Sequence, residues 1–233
     1  MAIRRGVLYR VPTFRRASGL LVLTNDEWNE APTLDLAGAL TYPEAGPGRT
    51  EIPRTGVWAG PLLAIPKADL ADALVEFGAA QLGPVEAALL ESLALRELLS
   101  TPPRAPQGLP GVIDYPRWSQ IYYAADPVGD PPERKRYVAV SHDAYDRALG
   151  GAIFVRTTTS ARRGGRGIPA LRDGAKAVCV LATFISSQSV RMRRSDQRPD
   201  PAQLFLVDMA MVAAGLVDAF ELADALSSDP QRA

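Results

Sequence analysis

A chain that carries one pattern twice is expected to build one unit twice, and here the pattern recurs at a spacing of 117 residues. Leu20-Leu21-Val22-Leu23-Thr24-Asn25-Asp26-Glu27-Trp28-Asn29 matches Tyr137 through Asp146 position by position, so that Thr24 faces Ser141, Asp26 faces Asp143 and Trp28 faces Tyr145. The spacing holds as far as Thr41 and Thr158. Upstream, Gly6-Val7-Leu8-Tyr9 resembles Gln120-Ile121-Tyr122-Tyr123 with a small slip in register. Downstream, Leu62-Leu63-Ala64-Ile65 resembles Ala182-Thr183-Phe184-Ile185, and each half then ends in a helical pattern. Two copies are too few for a solenoid, so the expected outcome is a pseudo-symmetric pair within one chain.

The repeated unit reads strand, turn, strand. Tyr137-Val138-Ala139-Val140 and Ala152-Ile153-Phe154-Val155 are short runs rich in β-formers, and His142-Asp143 with Gly150-Gly151 supply turn chemistry between them. In the first half, strands are expected at 6–11, 19–24, 34–40 and 57–65, with 42–54 as a long hairpin loop. Residues 67–82 read as a short helical turn and then a strand. Pro84 is expected to open a helix whose Val85, Leu89 and Leu93 share a face and which fades near Leu99. Four prolines between 101 and 111 mark a linker. In the second half, strands are expected at 118–125 and 177–185, and a terminal helix opens at Asp200-Pro201 with Phe205, Met209, Val212, Leu216 and Phe220 on one face. The organisation is thus a first unit at 1–100, a linker at 101–111 and a second unit at 112–228, mainly β with C-terminal helices.

At 47% hydrophobic residues the chain can bury a core, and mean hydropathy is near zero. No apolar run approaches the roughly 18 residues that span a bilayer, and the N-terminus lacks the apolar core of a signal peptide. A cytoplasmic protein without a membrane partner is expected. The single cysteine, Cys179, excludes an internal disulfide and sits in an apolar segment that suits a buried thiol. With one His and one Cys, neither a metal site nor a cofactor is expected. Net charge is zero but unevenly spread: positions 134–198 hold fourteen Lys/Arg against four Asp/Glu, whereas 200–229 hold six acids and neither Lys nor Arg. The arginines cluster in loops, which favours an anion such as RNA or DNA; the alternative is that the acidic helix packs nearby and cancels the field. The loop at 160–167, SARRGGRG, reads either as a solvated tip or as an arm that grips phosphate.

The order strand, loop, Arg, strand, Ser-x-Asp, strand, Thr and C-terminal helix resembles the MazF/PemK toxin family, which shares the CcdB-like fold. The matching residues are Gln120-Ile121-Tyr122-Tyr123, Asp126-Pro127-Val128-Gly129, Lys135-Arg136-Tyr137-Val138-Ala139-Val140-Ser141 and Thr157-Thr158-Thr159-Ser160. The resemblance implies two small SH3-like barrels, a homodimer of the family made covalent, so that a monomer acts as a pseudo-dimer. It further implies an mRNA interferase-like endoribonuclease that cleaves single-stranded RNA through the ribose 2′-hydroxyl, and a small acidic antitoxin as partner. The alternative is a non-catalytic platform for nucleic acid or a protein, either the antitoxin or a gyrase-like target.

By the same resemblance, the family Arg falls on Arg136 and the family Thr on Thr158. Such a cleavage needs a group to accept the 2′ proton, another to protonate the leaving oxygen, and cations for the phosphorane charge. Arg136 suits the charge, Thr158 a phosphate oxygen, and His142, which stands where the family has Asn, is the chain's one histidine, the residue type suited to proton transfer near neutral pH. Lys135, Arg156, Arg162, Arg163, Arg166 and Arg191 are expected to line the nucleic-acid path. In the first copy Gly19 stands at the position of Arg136, so that copy is expected to be inactive.

Overall fold

A computed structural model describes residues 2–31, 35–109, 115–125, 134–160, 166–187 and 203–228. The first half runs β1 (Val7–Tyr9), β2 (Gly19–Val22), α1 (Asp26–Glu30), β3 (Asp35–Tyr42), β4 (Thr50–Ile52), β5 (Val57–Pro66), a 3-10 turn (Lys67–Asp69), β6 (Ala73–Glu76), α2 (Ala79–Ser92) and α3 (Leu95–Leu98). The second runs β7 (Ile121–Ala125), β8 (Arg134–Ala139), α4 (Asp143–Leu149), β9 (Gly151–Thr158), β10 (Lys176–Ser186), α5 (Leu206–Phe220) and α6 (Ala223–Ser227). The protein is mainly β with C-terminal helices, an α+β fold of antiparallel sheets.

The two sheets repeat one order. The first is β4-β5-β3-β2-β1-β6 and the second β10-β9-β8-β7, so β5-β3-β2-β1 answers β10-β9-β8-β7, with β4 and β6 added at the edges of the first. Each sheet buries one face in a shared core: Leu21, Leu23, Ala39 and Leu62 from the first half meet Val138, Val140, Ile153 and Val155 from the second. The opposite faces carry smaller clusters, Tyr9, Leu20, Val22 and Leu36 in the first sheet, and Tyr122, Tyr137 and Phe154 in the second. Across the middle, the Ala64 backbone N–H of β5 donates to Thr183 Oγ1 of β10 at 3.1 Å, with both residues buried.

Local bonds repeat as well. The Arg4 N–H donates to the Tyr9 hydroxyl at 3.1 Å, and the Arg117 N–H to the Tyr122 hydroxyl at 3.1 Å, so Tyr9 answers Tyr122, one position before the Tyr123 that the sequence match suggests. Thr24 Oγ1 donates to Asn29 Oδ1 at 2.7 Å, and Ser141 Oγ makes the corresponding short bond to Asp146 Oδ1. These pairs sit at the 117 spacing, an amide in one half and a carboxyl in the other.

Several expectations need correction. The two segments read as turns between paired strands contain short helices, α1 and α4, each opened by a side-chain cap: Asn25 Oδ1 accepts from the Trp28 N–H at 2.8 Å, and His142 Nδ1 from the Ala144 N–H at 3.0 Å. A helix of five or seven residues is too short to show a 3.6-residue period, and the residues that cap it also favour turns. Lys67 Nζ closes the other end of α1, donating to the carbonyls of Trp28, Asn29 and Ala31 at 2.9–3.0 Å. The 42–54 loop contains β4. Helix α2 opens at Ala79, five residues before Pro84, because the Gly78 N–H and the Gln81 side chain close a cap there; Pro84 sits inside the helix. Helix α5 starts at Leu206, and Phe205, its N-cap, is 65% exposed beside a core-facing stripe of Met209, Val212, Leu216 and Phe220. Cys179 is buried, as its apolar setting suggested, and burial pushes its thiol well above the usual range.

Candidate nucleic-acid interface

The pleat of the second sheet decides which side chains can meet. Tyr137 pairs with Arg156, and Ala139 with Phe154, in the β8–β9 ladder; Thr158 pairs with Lys176 in the β9–β10 ladder. Tyr137, Ala139 and Phe154 form the outer cluster, so alternation places Arg156 and Thr158 on that outer face, with Lys176 opposite Thr158. Lys135 shares the Tyr137 face, two residues along β8, and the same register continued by one pleat sets it across from Thr158. Lys135, Arg156, Thr158 and Lys176 are all half-buried. Three cations and a hydroxyl thus share one end of three adjacent strands, on the face that carries Phe154, Tyr137 and Tyr122. Tyr122 and Phe154 meet edge-to-face at 5.5 Å, and Tyr137 and Phe154 at 6.3 Å. Burial pushes the Tyr122 hydroxyl up to about 12, against the lowering by the Arg117 N–H.

Arg136 lies on the alternate face. Its carbonyl accepts from Thr157 Oγ1 at 3.3 Å, and its Nη1 donates to Asp173 Oδ2 at 2.6 Å. Burial acts to raise the Asp173 carboxyl, but the Ala175 N–H and the Arg136 guanidinium outweigh it and hold the group below its ordinary value. The sheet therefore separates Arg136 from Thr158, which the sequence reading joined. Thr158 Oγ1 accepts from the Ser160 N–H at 3.2 Å. His142 stands past the far end of β8 from Arg136. Its Nδ1 caps α4, its backbone N–H donates to the Ser92 carbonyl at 2.7 Å, and it lines a cleft with Arg49, Glu91 and Tyr145. The structure does not bring His142 to either residue.

Of the remaining cations, Arg166 faces α5, with Nη2 3.8 Å from Asp218 Oδ1 and both side chains more than half exposed. Arg162, Arg163 and Arg191 lie outside the described residues. Sequence reasoning missed Lys176 and Asp173; a strand register and a tight turn supply them, and neither leaves a local signature. Among the described residues no cluster of His, Cys, Asp and Glu is placed to hold a metal ion, and no helix is long and apolar enough to cross a membrane.

The first half builds the same framework with other side chains. Gly19 pairs with Thr41, and Thr41 Oγ1 donates to the Gly19 carbonyl at 3.1 Å, the bond that Thr157 makes to Arg136. Thr41 therefore answers Thr157, one position earlier than the 117 spacing implies, and Tyr42 answers Thr158. A side chain at Gly19 would run into the Tyr9 carbonyl oxygen, so this position has no room for the cation that Arg136 supplies.

No protein-family model and no curated protein matches this chain. Among solved structures, it is similar to an endoribonuclease in complex with its cognate antitoxin from a mycobacterial species, at 18% identity and a TM-score of 0.36, covering 49% of this chain and 97% of that one.

Proposed function

We propose that this chain is a fused two-copy relative of the MazF/PemK toxins, with units at 1–100 and 112–228, that acts on single-stranded RNA through its second half. The observation that carries the reading is the convergence of Lys135, Arg156, Lys176 and Thr158 on one face at the ends of β8, β9 and β10. Cations at strand ends suit the backbone of a single strand, and a hydroxyl among them suits a non-bridging phosphate oxygen. The repeated sheet order supports a duplicated ancestor. Arg136 enters this reading as a reserve cation, held by Asp173 near the start of β8. A small acidic antitoxin segment fits the same basic face by charge.

The cleavage step needs a proton acceptor at the scissile phosphate. Because His142 is tied as the cap of α4, a second reading is specifically favoured: a platform that binds RNA without cutting it.

One experiment separates them. Purified protein is incubated with unstructured RNA in EDTA, and fragments are checked for 2′,3′-cyclic phosphate ends. Metal-independent fragments that disappear in Lys135→Ala and Thr158→Ala support the ribonuclease. Salt-sensitive binding without fragments supports the platform, and no binding at all removes both.

A further inference from the structure

The first half keeps a cleft where the second half keeps its cationic face. Thr13, Phe14, Arg15, Arg16, Leu40 and Tyr42 line an open cleft of about 380 Å³ beside the outer face of the first sheet. The size falls within the range of small-molecule sites, about 300–1,000 Å³. Leu40 and Tyr42 occupy the sheet positions that hold Arg156 and Thr158 in the other half, given that Thr41 answers Thr157. The cation and the hydroxyl have been exchanged for an aliphatic and an aromatic side chain. Positive charge enters instead from the loop between β1 and β2, where Arg15 and Arg16 are exposed and pair with no carboxylate among the described residues.

Tyr42 is positioned rather than loose. The Arg49 guanidinium sits 3.7 Å from its ring centroid, and Gly60 lies so close that an added Cβ would come 2.7 Å from Tyr42 Cε2. Arg49 also lines the cleft shared with His142 and Tyr145, so it stands between the first-half cleft and the groove where the halves meet. An aromatic ring backed by a guanidinium, with two further arginines at the rim, is a platform for a flat base flanked by phosphates.

We infer that the first-half cleft is a base-stacking subsite for single-stranded RNA, with a nucleobase on Phe14 and Tyr42 and the adjoining phosphates on Arg15 and Arg16. This inference rests on the RNA reading above and assigns the first half a binding role of its own. The halves then divide the work, one gripping bases and the other phosphates.

The test is fluorescence anisotropy of a labelled, unstructured RNA of about 12 nucleotides, a length within reach of such platforms, titrated at several salt concentrations with the full chain. Tyr42→Ala should weaken binding about tenfold or more, while Tyr42→Phe retains it. Arg15→Ala with Arg16→Ala, both at exposed positions and so without consequence for folding, should lower the salt slope by roughly 0.7 for each phosphate no longer neutralised. Photo-crosslinking with 4-thiouridine should label the peptide containing Phe14 or that containing Tyr42. If these variants bind as the unaltered chain does, while Lys135→Ala and Arg156→Ala abolish binding, the subsite is overturned and the RNA reading stands. If the unaltered chain binds no RNA, both fall.

Discussion

The backbone N–H of His142 donates to the carbonyl of Ser92 at 2.7 Å, tying the cap of α4 in the second half to the last residue of α2 in the first. The reciprocal bond exists: the Asn25 N–H, at the cap of α1, donates to the Ala219 carbonyl near the end of α5 at 2.9 Å. Each half thus fastens its own short helix and the other's long helix through one residue. Asn25 adds a further strand to this knot, since its Nδ2 donates to the Asp218 carbonyl at 3.1 Å.

Replacing Asn25 with Ala removes both the cap and that cross-link, and should cost about 1–2 kcal/mol in denaturant unfolding. His142→Ala should cost about 1 kcal/mol, and His142→Asn, which keeps a capping oxygen, much less. Any RNA cleavage should survive in His142→Asn. Its loss in a folded variant would give the imidazole a role in the chemistry.

Asp146 is buried beside Ser141, and its carboxyl is pushed up to about 9, chiefly by burial, with the Ser141 hydroxyl opposing and Asp143 adding to the rise. A folded-state value above the unfolded one, about 3.9, means that the native state holds the proton more tightly. The contribution is complete below the unfolded value and is lost as pH climbs toward and through about 9. Stability should therefore fall between pH 5 and 9 relative to Asp146→Asn, which copies Asn29 of the first half. Thermal melts of the two proteins across that range check this; parallel curves would contradict it.

Asp173→Ala should release Arg136 from its 2.6 Å ion pair. Because the side chains are 26% and 43% exposed, stability should change by less than about 1 kcal/mol. RNA affinity should rise and the salt slope steepen, read in the same titrations as above.

Thr183→Val keeps the shape of the side chain but removes the acceptor for the Ala64 N–H. Leaving that buried donor unsatisfied should cost about 1–3 kcal/mol. Since Leu21, Leu62, Val140 and Val155 share one core, the destabilisation should appear in a single unfolding transition and not in one half alone. Two separated transitions in the variant would contradict the common core.

The legible parts of the fold were those with enough length to show a pattern. Strand β5 lies at Val57–Pro66 against an expected 57–65, and β10 at Lys176–Ser186 against 177–185, because long apolar runs leave little choice, and β5 takes up its Gly60-Pro61 as a register shift between Ala39 and Thr41. Helices α1 and α4 stayed hidden, being too short for periodicity and opened by residues that also make turns. Pro84 misled in a different way. It is a good first-turn residue, yet the chain begins the helix earlier and accommodates the ring within it. At the site, Arg156 and Lys135 were legible as part of a basic stretch, but their meeting with Thr158 and Lys176 was not, since it depends on cross-strand register.

The sequence by itself determined the doubled order of strands, since a repeated series of apolar and capping residues must satisfy its backbone and bury its faces in the same way each time. It also determined that Cys179 is a core thiol and that one half lacks the cation of the other. The tertiary structure alone decided which side of the sheet each cation occupies. A strand reverses its side chains at every residue, so a register difference of one position, as between Thr157 and Thr158, moves a hydroxyl from one face to the other. No local pattern encodes that difference, because it is set by which strand lies alongside.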